Sequence, residues 1–286
     1  MKKFRLRGRR RKPREQGADR VPVRAIVPNL ITSMAACAGI TSISLSAEGR
    51  WVMALWALLI ACVCDGVDGR VARLLNASSK LGAELDSLAD FVNFGVAPAM
   101  FMFFWLTGGP AHEGFDPRTV RLVLGCSLFY ALCDCFRLAR FNTMLEQPVL
   151  PYWKHFFLGV PAPGGAWMVL TPAILAMELG AAAPGLESFL RHPVFGGGML
   201  LLIGSLMASR LPTISLKSLR IPRYALLPTM AVLFLLIALL VADFWLTIGA
   251  IGLIYILTVP VAVLVFLRAK GSWLRTQKTL PADAEP

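Results

Sequence analysis

CDGVDGRVARLLNASSKLGAELDSLADFVNFGVAPA, running from Cys64 to Ala99, sets acidic and polar groups into two otherwise apolar segments. On the first segment Asp65, Asp68 or Gly69, Ala72 and Arg73 follow the i, i+3/4, i+7/8 spacing of one helix face. On the second, Gly82, Asp86 and Asp90 recur every fourth residue and also share a face. A short turn separates the two, so they are expected to form an antiparallel pair on which four carboxylates converge.

Four unscreened carboxylates would repel one another and take up protons, whereas hard divalent cations neutralise them and favour oxygen ligands. No cysteine or histidine joins the set, which disfavours zinc. Two Mg²⁺ or Mn²⁺ ions, about 3.5–4 Å apart in sites of this kind, suit phosphoryl chemistry by stabilising charge on attacking and leaving oxygens. Gly66, Gly69 and Ala72 keep the helix surface low for a diphosphate, and Arg73 is placed to pair with phosphate.

The rest of the chain explains why such acids are notable. Of 286 residues 56% are hydrophobic and only 16% charged, too apolar for an ordinary water-soluble domain. Ionisable groups at membrane depth are expensive and mark functional sites, which disfavours a purely structural scaffold. At about 20 apolar residues per crossing, the sequence divides into about eight spans, near 26–48, 51–75, 81–107, 118–143, 156–180, 193–209, 222–242 and 244–268, with seven the alternative because the sixth is short and the last two have almost no connector. The expected class is an all-α polytopic membrane protein.

Three regions follow: a basic N-terminal segment at 1–24, a transmembrane catalytic domain at 25–268 and a polar tail at 269–286. Eleven of the 29 Lys and Arg residues lie within the first 24 positions. No polar domain follows that could present them to nucleic acid, and no small-residue cleavage site follows a short apolar core. The segment reads as a retained topology signal that attracts anionic lipid. All basic residues except Arg50, Arg118, Arg121 and Arg191 fall on one face of an eight-span arrangement, which predicts cytoplasmic termini and a cytoplasmic active site. The six cysteines lie in apolar stretches without CxxC spacing and read as buried thiols rather than disulfides or metal ligands.

The pattern Asp65-x2-Asp68-Gly69-x2-Ala72-Arg73-x8-Gly82-x3-Asp86-x3-Asp90 resembles the complete signature of the CDP-alcohol phosphatidyltransferases. PNLIT at Pro28–Thr32, LDSLADFVNFGVAPA from Leu85, RLARFN from Arg137, GVPAPGGA from Gly159 and SRLPTISLK from Ser209 are similar to its phosphatidylserine synthase branch. That resemblance implies the family fold, an inner-membrane homodimer, and transfer of a phosphatidyl group from CDP-diacylglycerol to L-serine with release of CMP. It implies that Asp65, Asp68 and Asp86 hold one metal ion and Asp65, Asp86 and Asp90 the other, with Asp90 as general base. It further implies that Gly69, Arg73, Ser79, Asn29 and Thr32 contact CDP-diacylglycerol.

Serine carries a carboxylate and an ammonium, and Arg137 and Arg140 share a helix face near the same boundary, with Asp134 three residues earlier. These arginines, with Asn93, are the candidate serine contacts; an Asp134–Arg137 pair is the alternative use. Glycerol phosphate or inositol phosphate is the alternative acceptor, and a divalent cation transporter the alternative of a different class. Lys154 and His155 read as headgroup contacts.

Overall fold

The computed structural model describes residues 26–77, 79–112, 114–144, 156–209, 212–214 and 225–279. The basic segment 1–24, the end of the tail, Lys154, His155, Arg210, Lys217, Arg220 and Arg223 lie outside the described residues. The described residues are almost entirely helical: α1 (Ile26–Ala47), α2 (Trp51–Leu74), α3 (Lys80–Asp90), a π-helical turn (Phe91–Val96), α4 (Ala97–Leu106), α5 (Pro117–Met144), α6 (Ala162–Leu179), α7 (Pro184–Leu190), α8 (Pro193–Ala208), α9 (Leu226–Ala242) and α10 (Phe244–Thr279). Strands β1 (Phe156–Leu158) and β2 (Pro212–Ile214) pair antiparallel and tie the chain after α5 to the chain after α8.

Each of the eight expected spans coincides with a helix, but fewer reach crossing length. Among the described residues six stretches are long and apolar enough: 26–47, 51–74, 80–106, 117–143, 162–179 and 244–262. Helices α7 and α8, bent by 53° at the break between them, make a seventh if taken as one span, and α9 has 17 residues. Three expected spans differ in their limits or their continuity. The fifth span begins at Ala162 rather than 156, because Gly159 takes a φ of +76° and Pro161 holds the extended conformation that caps the helix. The third is interrupted by the π turn immediately after Asp90. Helix α10 continues to Thr279, eleven residues past the expected end at 268.

Packing follows small residues. The buried face of α1 is Pro28, Thr32, Ala35, Gly39, Ser42 and Ser46, a stripe at alternating spacings of four and three. It packs against α2, whose buried Ala54, Ala61 and Asp68 recur every seven residues. Small side chains let membrane helices approach closely where lipid offers no hydrophobic drive for association. Ser42 donates to the Ala54 carbonyl at 2.9 Å at one end of this seam. At the other end the seam position is an acid, Asp68, and Thr32 donates to it.

The core gathers around α4 and α6, where Phe101, Met102, Leu106, Val169 and Ala173 are inaccessible. By contrast, α9 buries no side chain. An all-round apolar helix with no buried face is what a lipid-facing span requires.

The six cysteines are free, as expected. Only Cys133 is buried, while Cys37 and Cys135 are exposed at the helix surface.

Candidate active site

The N-terminal turn of α1, the second half of α2 and the first half of α3 enclose a cavity of about 180 Å³. Helices α2 and α3 lean chiefly on α1 rather than on each other, so the expected antiparallel pair is opened into two walls with α1 as the third. Asn29, Thr32, Asp68, Gly69, Ala72, Ser79, Gly82 and Asp86 line it.

Each wall has a local cause. Ser79 is the N-cap of α3: its Oγ accepts the Gly82 N–H at 3.0 Å. The cap satisfies an orphan donor of the first turn, and the hydroxyl hydrogen stays available to a ligand. Gly82 is needed at this approach, since a Cβ there would lie 2.9 Å from Asn29 Oδ1 and 3.1 Å from Ser79 Oγ. Gly69 differs: a Cβ there would meet nothing within 4 Å, so its side of the cavity is left open.

Asp65, Asp68 and Asp86 each offer a carboxylate oxygen, and the three oxygens lie within 4.8 Å of one another. Asp68 is buried, and Thr32 Oγ also lies 3.1 Å from the Pro28 carbonyl, so the hydroxyl is held between two acceptors. An acid orienting partner of this kind fixes a ligand's rotamer before a cation arrives. The donor set is all-oxygen and carries up to three negative charges, which fits Mg²⁺ or Mn²⁺. Asp90, one turn beyond Asp86, lies beside Asp65 with its Oδ1 buried and unpartnered. The cluster is thus a compact triad with a fourth acid at its deep end.

The other expected contacts divide. Arg73 is exposed and does not line the cavity. Arg140 turns away: its two Nη atoms donate to the Ala208 and Ser209 carbonyls, at 2.7 and 3.3 Å, at the end of α8. This is a cation satisfying carbonyls at a helix C-terminus. Arg137 stays near the acids, with Asp134, Asp90, Tyr130 and Tyr255 as its charged or polar neighbours. The alternative pair of Asp134 with Arg137 is not formed, since the ion pair within 4.0 Å among the described residues is Arg50 with Glu48. Asn93 is buried in the π turn, and neither of its amide atoms has a hydrogen-bond partner.

Two features of this region had little sequence signal. Tyr130 donates to the Phe94 carbonyl at 2.9 Å, joining α5 to the π turn. π turns are frequent at functional sites, and this one follows directly on Asp90. Tyr255 comes from α10, more than a hundred residues from Arg137. Only an isolated polar tip in an apolar helix hinted at either tyrosine.

The chain is similar in sequence to known proteins. The family model for CDP-alcohol phosphatidyltransferases matches residues 25–209, which contain every acid of the site. The chain is 36% identical over 239 residues to the CDP-diacylglycerol–serine O-phosphatidyltransferase of Mycobacterium leprae, covering 83% of this chain and 74% of that protein. It is 34% identical to the Mycobacterium tuberculosis protein of the same name, covering 83% and 78%. With the Helicobacter pylori protein of that name identity is 33% over 188 residues, covering 65% and 70%. A membrane-spanning helical bundle with its acids on α2 and α3, matched over residues 25–209 and aligned along most of its length with such relatives, belongs to the CDP-alcohol phosphatidyltransferase family of enzymes.

Proposed function

We propose that this enzyme transfers the phosphatidyl group of CDP-diacylglycerol to the hydroxyl of L-serine, forming phosphatidylserine and CMP. The observation that carries the acceptor is the alignment over 83% of the chain with relatives named for serine. The cavity between α1, α2 and α3 supports the donor half, since it opens beside the three acids and Asp68 and Asp86 form part of its wall.

In this reading Asn29, Thr32, Gly69 and Ser79 receive the CDP headgroup, and Arg73 meets it from outside the cavity wall. Asp65, Asp68 and Asp86 hold one divalent ion, and Asp65, Asp86 and Asp90 hold the other. Mg²⁺ or Mn²⁺ held there supplies positive charge for the diphosphate oxygens. Asp90 accepts the serine hydroxyl proton, because an alcohol near neutral pH is a poor nucleophile until it loses that proton. The serine oxygen bonds to the phosphorus that carries diacylglycerol, and the bond from that phosphorus to the bridging oxygen breaks, releasing CMP in line. Direct displacement needs no phosphatidyl-enzyme.

Arg137 is the serine carboxylate contact, Asn93 of the π turn is a second acceptor contact, and Arg140 acts by holding the end of α8. The distribution of basic residues supports cytoplasmic termini and a cytoplasmic site. The resemblance to the family supports a homodimer in the inner membrane.

The test is CMP release by purified protein given CDP-diacylglycerol, Mn²⁺ and, in turn, L-serine, glycerol 3-phosphate and inositol 1-phosphate. Serine-dependent release that EDTA abolishes and Mn²⁺ restores is the expected result. Release with another acceptor and none with serine overturns the acceptor.

A further inference from the structure

Below Asp90, the face of α5 against the π turn carries Ser127, Tyr130, Asp134 and Arg137, an i, i+3, i+7, i+10 stripe through an apolar helix. Asp134 is wholly inaccessible, and neither of its carboxylate oxygens has a hydrogen-bond partner. Asn93, 1% exposed, is likewise unpartnered at both amide atoms. A buried carboxylate without a partner is among the most expensive arrangements a fold can hold, and an apolar residue of similar volume would pack there without that penalty.

Room has nevertheless been made for both groups. A Cβ at Gly95 would lie 2.8 Å from Asp134 Oδ2, and one at Gly39 would collide with the Asn93 amide. Each polar side chain therefore rests on a glycine of a neighbouring element. Arg137, one turn along α5 from Asp134, has an unpartnered Nε, and Asp134, Asp90 and Tyr255 of α10 are among its neighbours. An anion and a cation one turn apart, unpaired with each other, are the complement of an ammonium and a carboxylate on one carbon.

Resting on the serine reading above, the geometry points to Asp134 as the residue that recognises the ammonium of an α-amino acid acceptor, with Arg137 taking its carboxylate. The hydroxyl of an acceptor held this way is presented to Asp90, which lies within electrostatic reach of both Arg137 and Asp134. Alcohols without an ammonium leave Asp134 uncompensated, so the same residue that binds serine rejects them. A buried group built to pair with a substrate discriminates strongly against an analogue that lacks the partner.

Full-length protein with CDP-diacylglycerol and Mn²⁺ tests this with two acceptors, L-serine and 3-hydroxypropanoate, which is serine without its ammonium. Asp134→Asn is expected to raise the KM for L-serine at least tenfold and to leave the KM for CDP-diacylglycerol within threefold. The preference for serine over 3-hydroxypropanoate, as a ratio of kcat/KM, is expected to fall at least tenfold. An equal loss with both acceptors, or an unchanged serine KM, overturns the assignment. Where Asp134→Asn does not survive purification, Gly95→Ala displaces the carboxylate without removing it and must lower the same ratio; an unchanged ratio overturns the assignment. Wild-type protein that releases no CMP with serine fails the acceptor reading itself, whereas an active wild type with an indifferent Asp134→Asn fails only the ammonium assignment.

Discussion

Two groups of acids lie within this membrane bundle, and they are held in opposite ways. Asp65, Asp68 and Asp86 converge on an open cavity, and the deepest of them is supported by Thr32. Asp134 is closed off on the far side of Asp90, without a hydrogen bond, on a bare glycine. Mutual repulsion in the first group is a problem that a mobile cation solves, because the cavity lets it in. The second group is a single charge in a tight space, which calls for a single opposite charge of small size. On the readings proposed above, the same residue type serves a metal centre where acids gather and a ligand contact where one stands alone.

The largest effect that sharpens this contrast is expected at the acid between the two groups. Asp90→Asn lowers kcat by about 10²–10⁴-fold, the contribution typical of a positioned general base. The KM for CDP-diacylglycerol changes less than kcat, because Asn29, Thr32, Gly69 and Ser79 keep their headgroup contacts. Steady-state CMP release measures both, and normal turnover would break the comparison at its centre.

Next comes the support of the first group. Thr32→Val removes the donor to Asp68 while keeping the side chain's shape, and is expected to cost about 10–100-fold in metal affinity or activity. The readout is the midpoint of a Mn²⁺ titration. Asp65→Asn, which removes a ligand rather than its support, moves that midpoint at least as far, whereas Asp134→Asn leaves it in place. A shifted midpoint in Asp134→Asn would erase the distinction between the groups.

Smaller effects are expected at the cavity wall and at the π turn. Gly82→Ala puts a methyl group against Asn29 and Ser79, at 2.9 and 3.1 Å, and raises the KM for CDP-diacylglycerol several-fold. The helix itself gains up to about 1 kcal/mol from the exchange, so a fall in activity without a fall in thermal stability separates cavity filling from unfolding. Tyr130→Phe leaves the Phe94 carbonyl without its donor and costs about 1–3 kcal/mol. It is read as a lower melting temperature, with the Mn²⁺ midpoint unchanged.

The acid triad was legible before any fold because its spacing is short-range. Residues three and four apart share a helix face whatever the surroundings, so Asp65 with Asp68, and Asp86 with Asp90, could be placed from the chain alone. The span positions were legible for the same reason, since apolar length is a local property. The Asp134–Arg137 relation was visible only as a spacing. That spacing permits a pair, and the fold does not form one.

What the amino-acid sequence by itself determined is therefore the membrane class, the family signature and the faces on which the acids lie. Tertiary structure decided which faces meet. It set α1 between α2 and α3, which turned an expected helix pair into a cavity with Thr32 and Asn29 in its wall. Arg140 was directed to the carbonyls at the end of α8, 68 and 69 residues away in sequence, and Arg73 was left outside the cavity. The fold also brought Gly95 under Asp134 and Tyr255 beside Arg137. The physical reason is that a helix period specifies direction only around its own axis. The partner across the interface is chosen by small-residue seams and buried hydrogen bonds between segments far apart in the chain.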